Sequence, residues 1–224
     1  MQVQFSDNVS TLQPSAIREI LKFTSMPGVI SFAAGNPAPE AFPKETVAKL
    51  SEQLLREDPV LAMQYSLTEG YTPLRDALKQ RMAAQHCFQP DVDDLIITSG
   101  AQQGNELTCK VLLNRGDTLI CEAPSFIGSL NAFKSYGVNL VGIPMEADGM
   151  DLAALETALQ TQPSCKLIYV IPNFQNPTGQ TMSLEKRKGL YALACKYNVL
   201  ILEDNPYFEL RISWEFMRRM KKTV

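Results

Sequence analysis

The chain has 224 residues, 45% apolar and 20% charged, with 21 basic and 24 acidic side chains and a formal net charge of −3. That length fits one large domain or two small ones, and that composition excludes a disordered chain. Mild acidity offers no domain-wide positive field for nucleic acid, so no nucleic-acid partner is expected.

No apolar run reaches the roughly 18 residues of a membrane span, and the N-terminus has no basic-then-apolar signal pattern. Neither membrane insertion nor export is expected. Five cysteines, Cys87, Cys109, Cys121, Cys165 and Cys195, are widely spaced and include no CxxC pair. They read as free thiols in a reducing cytoplasm, with no metal site. The single histidine, His86, reads as a polar surface residue. Charge is uneven along the chain. Residues 211–224 hold Arg211, Arg218, Arg219, Lys221 and Lys222 against Glu215, a net of +4, which leaves −7 for the rest.

In chain order, residues 14–24 predict a short amphipathic helix with Pro14 near its start. Pro27, Pro37, Pro39 and Pro43 then forbid a continuous helix through an extended segment. Helical periodicity returns at 43–58 and 72–88. From Asp94 the pattern alternates strand and helix. Strand runs are expected at 94–100, 118–122, 139–144, 166–172 and 199–204, with helices at 101–114, 126–136, 151–160 and 183–197. Runs that are apolar throughout belong in a parallel sheet covered on both faces. An α/β architecture with right-handed crossovers follows, and its ligands bind beyond the carboxyl ends of the strands.

Four of those five strand ends carry a motif with two readings. Ser99-Gly100-Ala101-Gln102-Gln103-Gly104 leads into a helix whose N-terminus can hold an anion, or it is an ordinary strand-to-helix turn. Phe126, after Glu122-Ala123-Pro124-Ser125, offers an aromatic face to a planar ligand or fills the core. Asn176-Pro177-Thr178-Gly179 is a turn, or presents an amide to a bound ring. Asp204, before Asn205-Pro206-Tyr207, seeks a cationic partner at the edge of low dielectric, or caps a turn. Together they point to a phosphorylated, aromatic ligand with a cationic nitrogen.

With Ile30 to Pro37 (ISFAAGNP), Gln64-Tyr65 and Gly70-Tyr71-Thr72-Pro73-Leu74-Arg75, these motifs resemble the class I/II pyridoxal-phosphate-dependent aminotransferases of fold type I. The likeness is to the branch with 2-aminoadipate, kynurenine and aromatic aminotransferases, and runs over about residues 14–211. It implies a three-layer large domain with a mostly parallel sheet, plus an N-terminal segment of the small domain. The implied boundaries are 1–42 for that segment, 43–211 for the partial cofactor-binding domain and 212–224 for a basic tail outside the family pattern. It also implies pyridoxal 5'-phosphate as cofactor, an amino acid and a 2-oxo acid as substrates, and a homodimer.

By position, Ser99, Gly100, Ala101 and Gln102 would cradle the phosphate, with the Gln103 neighbourhood. Phe126, where the family more often has tyrosine, would stack on the ring. Asn176 and Tyr207 would hydrogen-bond its phenolic oxygen, and Asp204 would pair with its nitrogen. Tyr65 would reach the phosphate of the partner subunit. Gly35 and Asn176 would border the substrate carboxylate.

The resemblance also sets an expectation of loss. The lysine that forms a Schiff base with the cofactor lies in the family well beyond the aspartate, whereas this sequence runs only twenty residues past Asp204. Lys221 and Lys222 have the wrong context, Lys166 opens a strand, and Lys110, Lys186 and Lys188 read as surface residues on helices. No catalytic residue is therefore assigned. Family sheets run 3-2-4-5-6-7-1, so the expected sheet is truncated after strand 5 of 7. The tail reads as the product of a frameshift or premature stop. The fragment is expected to be inactive alone, or else to act as a non-catalytic cofactor-binding or dimerisation partner of a full-length homologue.

Overall fold

The computed structural model describes residues 4–10, 26–30, 37–85 and 87–210. The helix expected at 14–24, Gly35, His86 and the tail 212–224 lie outside the described residues. The chain forms two compact units, one drawn from residues 1–12 and 75–224, the other from 13–74.

The first helical turn, α1, spans Asp7–Ser10. In the second unit, α2 (Lys44–Glu57) is followed directly by α3 (Pro59–Met63), whose N-cap Asp58 accepts from the Leu61 N–H at 3.0 Å. Helix α4 covers Thr72–Ala84. The larger unit then alternates: α5 Ala101–Leu112, β1 Thr118–Ala123, α6 Ile127–Ser135, β2 Asn139–Glu146, β3 Gly149–Met150, α7 Leu152–Thr161, β4 Cys165–Val170, α8 Leu184–Tyr197 and β5 Leu200–Glu203. Cap residues fix several ends. Asp151 accepts from the N–H groups of Ala153 and Ala154 at 2.9 and 3.0 Å, and Asn198 closes α8 in the left-handed region at φ 53°.

The sheet order is β3-β2-β1-β4-β5. All pairings are parallel except β2 with the short β3. In the strand numbers of the sequence reading, the parallel part runs 3-2-4-5, as the resemblance implies. Side chains alternate between two cores. Ile120, Ile168 and Val170 pack with Leu155, Leu159, Leu190 and Ala194 from α7 and α8. Leu119, Cys121, Leu167 and Tyr169 face the opposite way, against Cys109 of α5 and Phe133 of α6. Three layers result. Burying each large aliphatic side chain contributes roughly 1.5–3 kcal/mol, so β1 and β4, each buried at five of six positions, anchor the domain.

One expected strand is absent. Residues 94–98 are irregular and pair with no strand among the described residues. A strand exists only through its ladder, so an apolar run without a neighbour does not become one. The segment is instead held by side chains. Arg75 Nε donates to the Leu95 carbonyl at 2.7 Å, and Asp94 takes Arg75 at 3.0 Å and Lys79 at 2.6 Å.

On the other flank, β5 pairs only with β4 among the described residues, and Leu200 is left 56% exposed. Such an edge is a template for further pairing. A groove of about 970 Å³ runs along it, lined by Cys87, Leu112, Tyr191, Leu200 and Ile201, with Glu203 at one end.

Among the cysteines, Cys109, Cys121 and Cys165 are buried free thiols, Cys87 is half-buried and Cys195 is exposed. Burial pushes the thiols of Cys109 and Cys121 up to about 11, which makes them inert at neutral pH.

Candidate functional site

The carboxyl ends of β1, β4 and β5 converge because the strands are parallel neighbours, and the segments that follow them build one polar pole. The ladder between β1 and β4 has its last pair at Cys121 and Tyr169. Beyond it Glu122 fills the gap with its side chain. Its Oε2 accepts from the Ile171 N–H at 3.0 Å and from Gln175 Nε2 at 3.2 Å, while Oε1 has no partner among the described residues. Glu122 is only 2% exposed, and burial pushes its carboxyl up to about 7.

Gln175 links this acid to the Asn176 loop. Its Nε2 also donates to the Pro124 carbonyl at 2.8 Å, and its Oε1 accepts from the Thr178 N–H and hydroxyl at 2.9 and 2.8 Å. The Ala123–Pro124 and Asn176–Pro177 bonds are both cis. Phe174 sits in the left-handed region at φ 48°, an unusual state for a bulky residue that the loop holds with a bond from its N–H to Thr181 Oγ1 at 3.2 Å. Behind the loop, the fully buried Arg187 donates to the carbonyls of Met182 and Pro172 at 3.0 and 2.8 Å and to Asn173 Oδ1 at 3.1 Å.

At the front, Asn176 Nδ2 faces Tyr207 Oη at 3.4 Å, and both residues are half-buried. The main chain of Asp204 donates back to the Val170 carbonyl at 2.9 Å, fixing the residue at the end of β5. Its Oδ2 accepts from Tyr169 Oη at 2.7 Å, and Oδ1 is left without a partner among the described residues.

Phe126 is the N-cap of α6 and is 36% exposed. Its ring lies over the first turn of that helix. A Cβ built on Gly128 would come within 2.6 Å of the ring, so Gly128 is required for this placement. The neighbouring Ser125 Oγ is buried with no hydrogen-bond partner among the described residues.

Gly100 begins α5 at φ 81°, and no side chain caps this helix. The N–H groups of Ala101 and Gln102 therefore open onto solvent at the positive end of the helix dipole. Gln103 is used differently: its Oε1 accepts from the Ser99 N–H at 2.6 Å and so shapes the loop. Tyr65 belongs to the other unit and is 99% exposed. Gly35 lies outside the described residues.

Three further lysines of the larger unit are held in ion pairs. Lys166 pairs with Asp117 at 2.8 Å, at the amino ends of β4 and β1, opposite the polar pole. Lys196 pairs with Glu156 at 2.6 Å, and Lys186 with Glu146.

Residues 27–213 match the family described as aminotransferase class I and II. The chain belongs to this family. It is 41% identical over 221 residues to aromatic-amino-acid aminotransferase 1 of Thermococcus litoralis, covering 97% of this chain and 53% of that protein. It is 40% identical over 206 residues to the 2-aminoadipate transaminase of Thermus thermophilus, covering 92% of this chain and 50% of that protein. Kynurenine aminotransferase of Pyrococcus horikoshii, solved in complex with PMP, superposes with a TM-score of 0.89 at 37% identity, covering 97% of this chain and 55% of that structure. The chain spans about half the length of the curated relatives it matches. These relatives are aminotransferases, and this chain has the fold of the solved one.

Sequence reasoning missed the buried polar layer beneath the site, formed by Glu122, Gln175, Tyr169, Ser129 and Asn105. Its signal was present. A glutamate and a tyrosine inside apolar runs destined for a sheet covered on both faces must find hydrogen-bond partners.

Proposed function

We propose that this chain forms the cofactor-binding half of a pyridoxal-phosphate-dependent aminotransferase that moves an amino group between an amino acid and a 2-oxo acid. The observation that carries the reading is Asp204, a carboxylate fixed at a strand end with one oxygen held by Tyr169 and the other without a partner among the described residues.

The residues suit the group. Oδ1 of Asp204 would take the pyridinium N–H, the Phe126 ring would lie against a face of the pyridine, and Asn176 and Tyr207 would donate to its phenolic oxygen. The open N–H groups of Ala101 and Gln102, with Ser99 and Gly100, would receive the phosphate. When bound, pyridoxal phosphate supplies the electron sink for breaking the bond at the substrate α-carbon. This chain's part is to bind and orient it and to keep its ring nitrogen protonated through Asp204. Gly35 and Asn176 would border the substrate carboxylate, and Tyr65 would serve the site of a second subunit in a homodimer.

On this reading the chain by itself binds the cofactor without turning substrate over; the ion pairs that hold Lys166 to Asp117 and Lys196 to Glu156 support it. Titration with pyridoxal phosphate and with its amine form tests this. Saturable binding that Asp204→Asn weakens, with no transamination of aromatic amino acids or 2-aminoadipate, is expected. Turnover by the purified chain would overturn the non-catalytic part, and absence of binding would overturn the reading of the site.

A second reading has its own support. Val47, Leu50 and Leu54 lie at helical spacing on α2 and are 43–59% exposed, an apolar stripe in the same unit as the exposed Tyr65. Such a stripe suits association with a full-length homologue, which co-purification with one would detect.

A further inference from the structure

Asp204 does not stand alone at the end of β5. A line of buried polar groups leads to it from the helix on the far side of the site. Asn105 of α5 donates through Nδ2 to Ser129 Oγ of α6 at 2.9 Å. Ser129 Oγ lies 3.0 Å from Tyr169 Oη of β4, and Tyr169 Oη lies 2.7 Å from Asp204 Oδ2. Exposure of these three residues is 5%, 1% and 0%.

Only one arrangement of protons satisfies the line. The carboxylate can only accept, so the phenol donates to it. The phenol oxygen then accepts from the Ser129 hydroxyl, whose oxygen accepts from the Asn105 amide. Each bond polarises the next towards the carboxylate, and low dielectric strengthens all of them. Burial, with Asp204 alongside, pushes the Tyr169 phenol up, so its proton stays in place at any working pH.

Packing gives the phenol no freedom to turn away. The Tyr169 ring meets Phe133 edge-on at 5.0 Å and 71°. A buried tyrosine that serves only to fill space would leave its hydroxyl at a cost. Here the hydroxyl makes the shorter of its two contacts to Asp204, the carboxylate at the end of β5 whose Oδ1 has no partner among the described residues.

We propose that Tyr169 is a positioning residue for Asp204, oriented by Ser129 and Asn105, that locks Oδ2 and so turns Oδ1 towards a cationic ring nitrogen. The inference rests on the functional reading above in one respect, the identity of the ring. It adds a physical link: the helix whose N-terminus faces the phosphate is tied by three side-chain contacts to the carboxylate that faces the nitrogen, so the two ends of the ligand are gripped by one rigid unit.

The test uses pyridoxamine 5'-phosphate as probe, because it binds without a covalent bond to lysine, together with the carboxyl carbon resonance of Asp204 in the unliganded chain. Tyr169→Phe keeps the ring and removes only the hydroxyl. Loss of a hydrogen bond to a charged group is expected to weaken probe binding on the order of tenfold. It is also expected to move the Asp204 resonance. In an Asp204→Asn background the same substitution should change binding less than twofold, because the charge that Tyr169 serves is gone. A tyrosine that merely supported the fold would weaken both backgrounds equally.

Ser129→Ala, which leaves the phenol in place but removes its donor, should give a smaller change in the same direction. It serves as the second variant if Tyr169→Phe does not fold. Equal effects in the two backgrounds, or an unmoved Asp204 resonance, would overturn the proposal. If the wild-type chain does not bind the probe but the resonance still moves on losing the tyrosine or serine hydroxyl, the cofactor reading fails while the positioning role stands.

Discussion

Glu122 gives the sharpest quantitative expectation. Its carboxyl ordinarily titrates near 4.5, and burial raises it to about 7 in the folded chain, against the smaller lowering by the bonds from Ile171 and Gln175. The folded state therefore holds this proton more tightly than the unfolded state does. The associated stability is complete below pH 4.5 and is lost as pH rises through 7. At about 1.4 kcal/mol per pH unit, the span from 4.5 to about 7 amounts to roughly 3 kcal/mol, most of it lost between pH 5 and 8. Glu122→Gln keeps an acceptor for the same two donors and cannot ionise. Urea unfolding of both proteins at pH 5, 6, 7 and 8 should show the variant gaining on wild type by roughly 2–3 kcal/mol across the series. Tyr169 and Cys121, the titratable groups that sense this charge, are both pushed up by burial and do not interfere in that window. Parallel stability profiles for the two proteins would refute the reasoning, because they would mean the acid is ionised and compensated throughout.

Gly128→Ala should displace the Phe126 ring, since the new methyl would sit 2.6 Å from two of its carbons, and should weaken pyridoxamine phosphate binding while leaving the urea midpoint nearly unchanged. Unchanged binding would mean the ring takes no part. Arg187→Leu strands the acceptors at Met182, Pro172 and Asn173, and is expected to cost about 3 kcal/mol in unfolding free energy; a loss below about 1 kcal/mol would show that the loop does not depend on it. Asp151→Ala removes the cap of α7 and should cost about 1 kcal/mol by the same measurement, with no effect on ligand binding.

Much of this fold could be read from the residues because β1 and β4 are apolar on both faces and are followed by turn formers at fixed places. Asp204, Asn176 and Phe126 stood out for the same reason: a charged, amide or aromatic residue where an apolar strand stops. The run at 94–98 has the composition of a strand as well, yet a strand is completed by a neighbour, and none among the described residues pairs with it. Gln103 illustrates a second limit. Its position next to the helix start suggested a place in the phosphate cradle, whereas its amide folds back onto Ser99. The line from Asn105 through Ser129 to Tyr169 joins residues 24 and 40 positions apart, and no local pattern announces such pairings. What the residues do announce is the need: a phenol in a buried strand requires an acceptor, and Asp204, just past the end of the adjacent strand, supplies it.

The central claim is that the pole at the carboxyl ends of β1, β4 and β5 holds the cofactor's ring. A crystal structure of the chain grown with pyridoxamine 5'-phosphate tests it most directly. The account predicts the ring nitrogen against Asp204 Oδ1, a ring face on Phe126 and the phosphate at the N–H groups of Ala101 and Gln102. A ligand bound elsewhere, for instance in the groove beside β5, or a ring turned with its nitrogen away from Asp204, would contradict it.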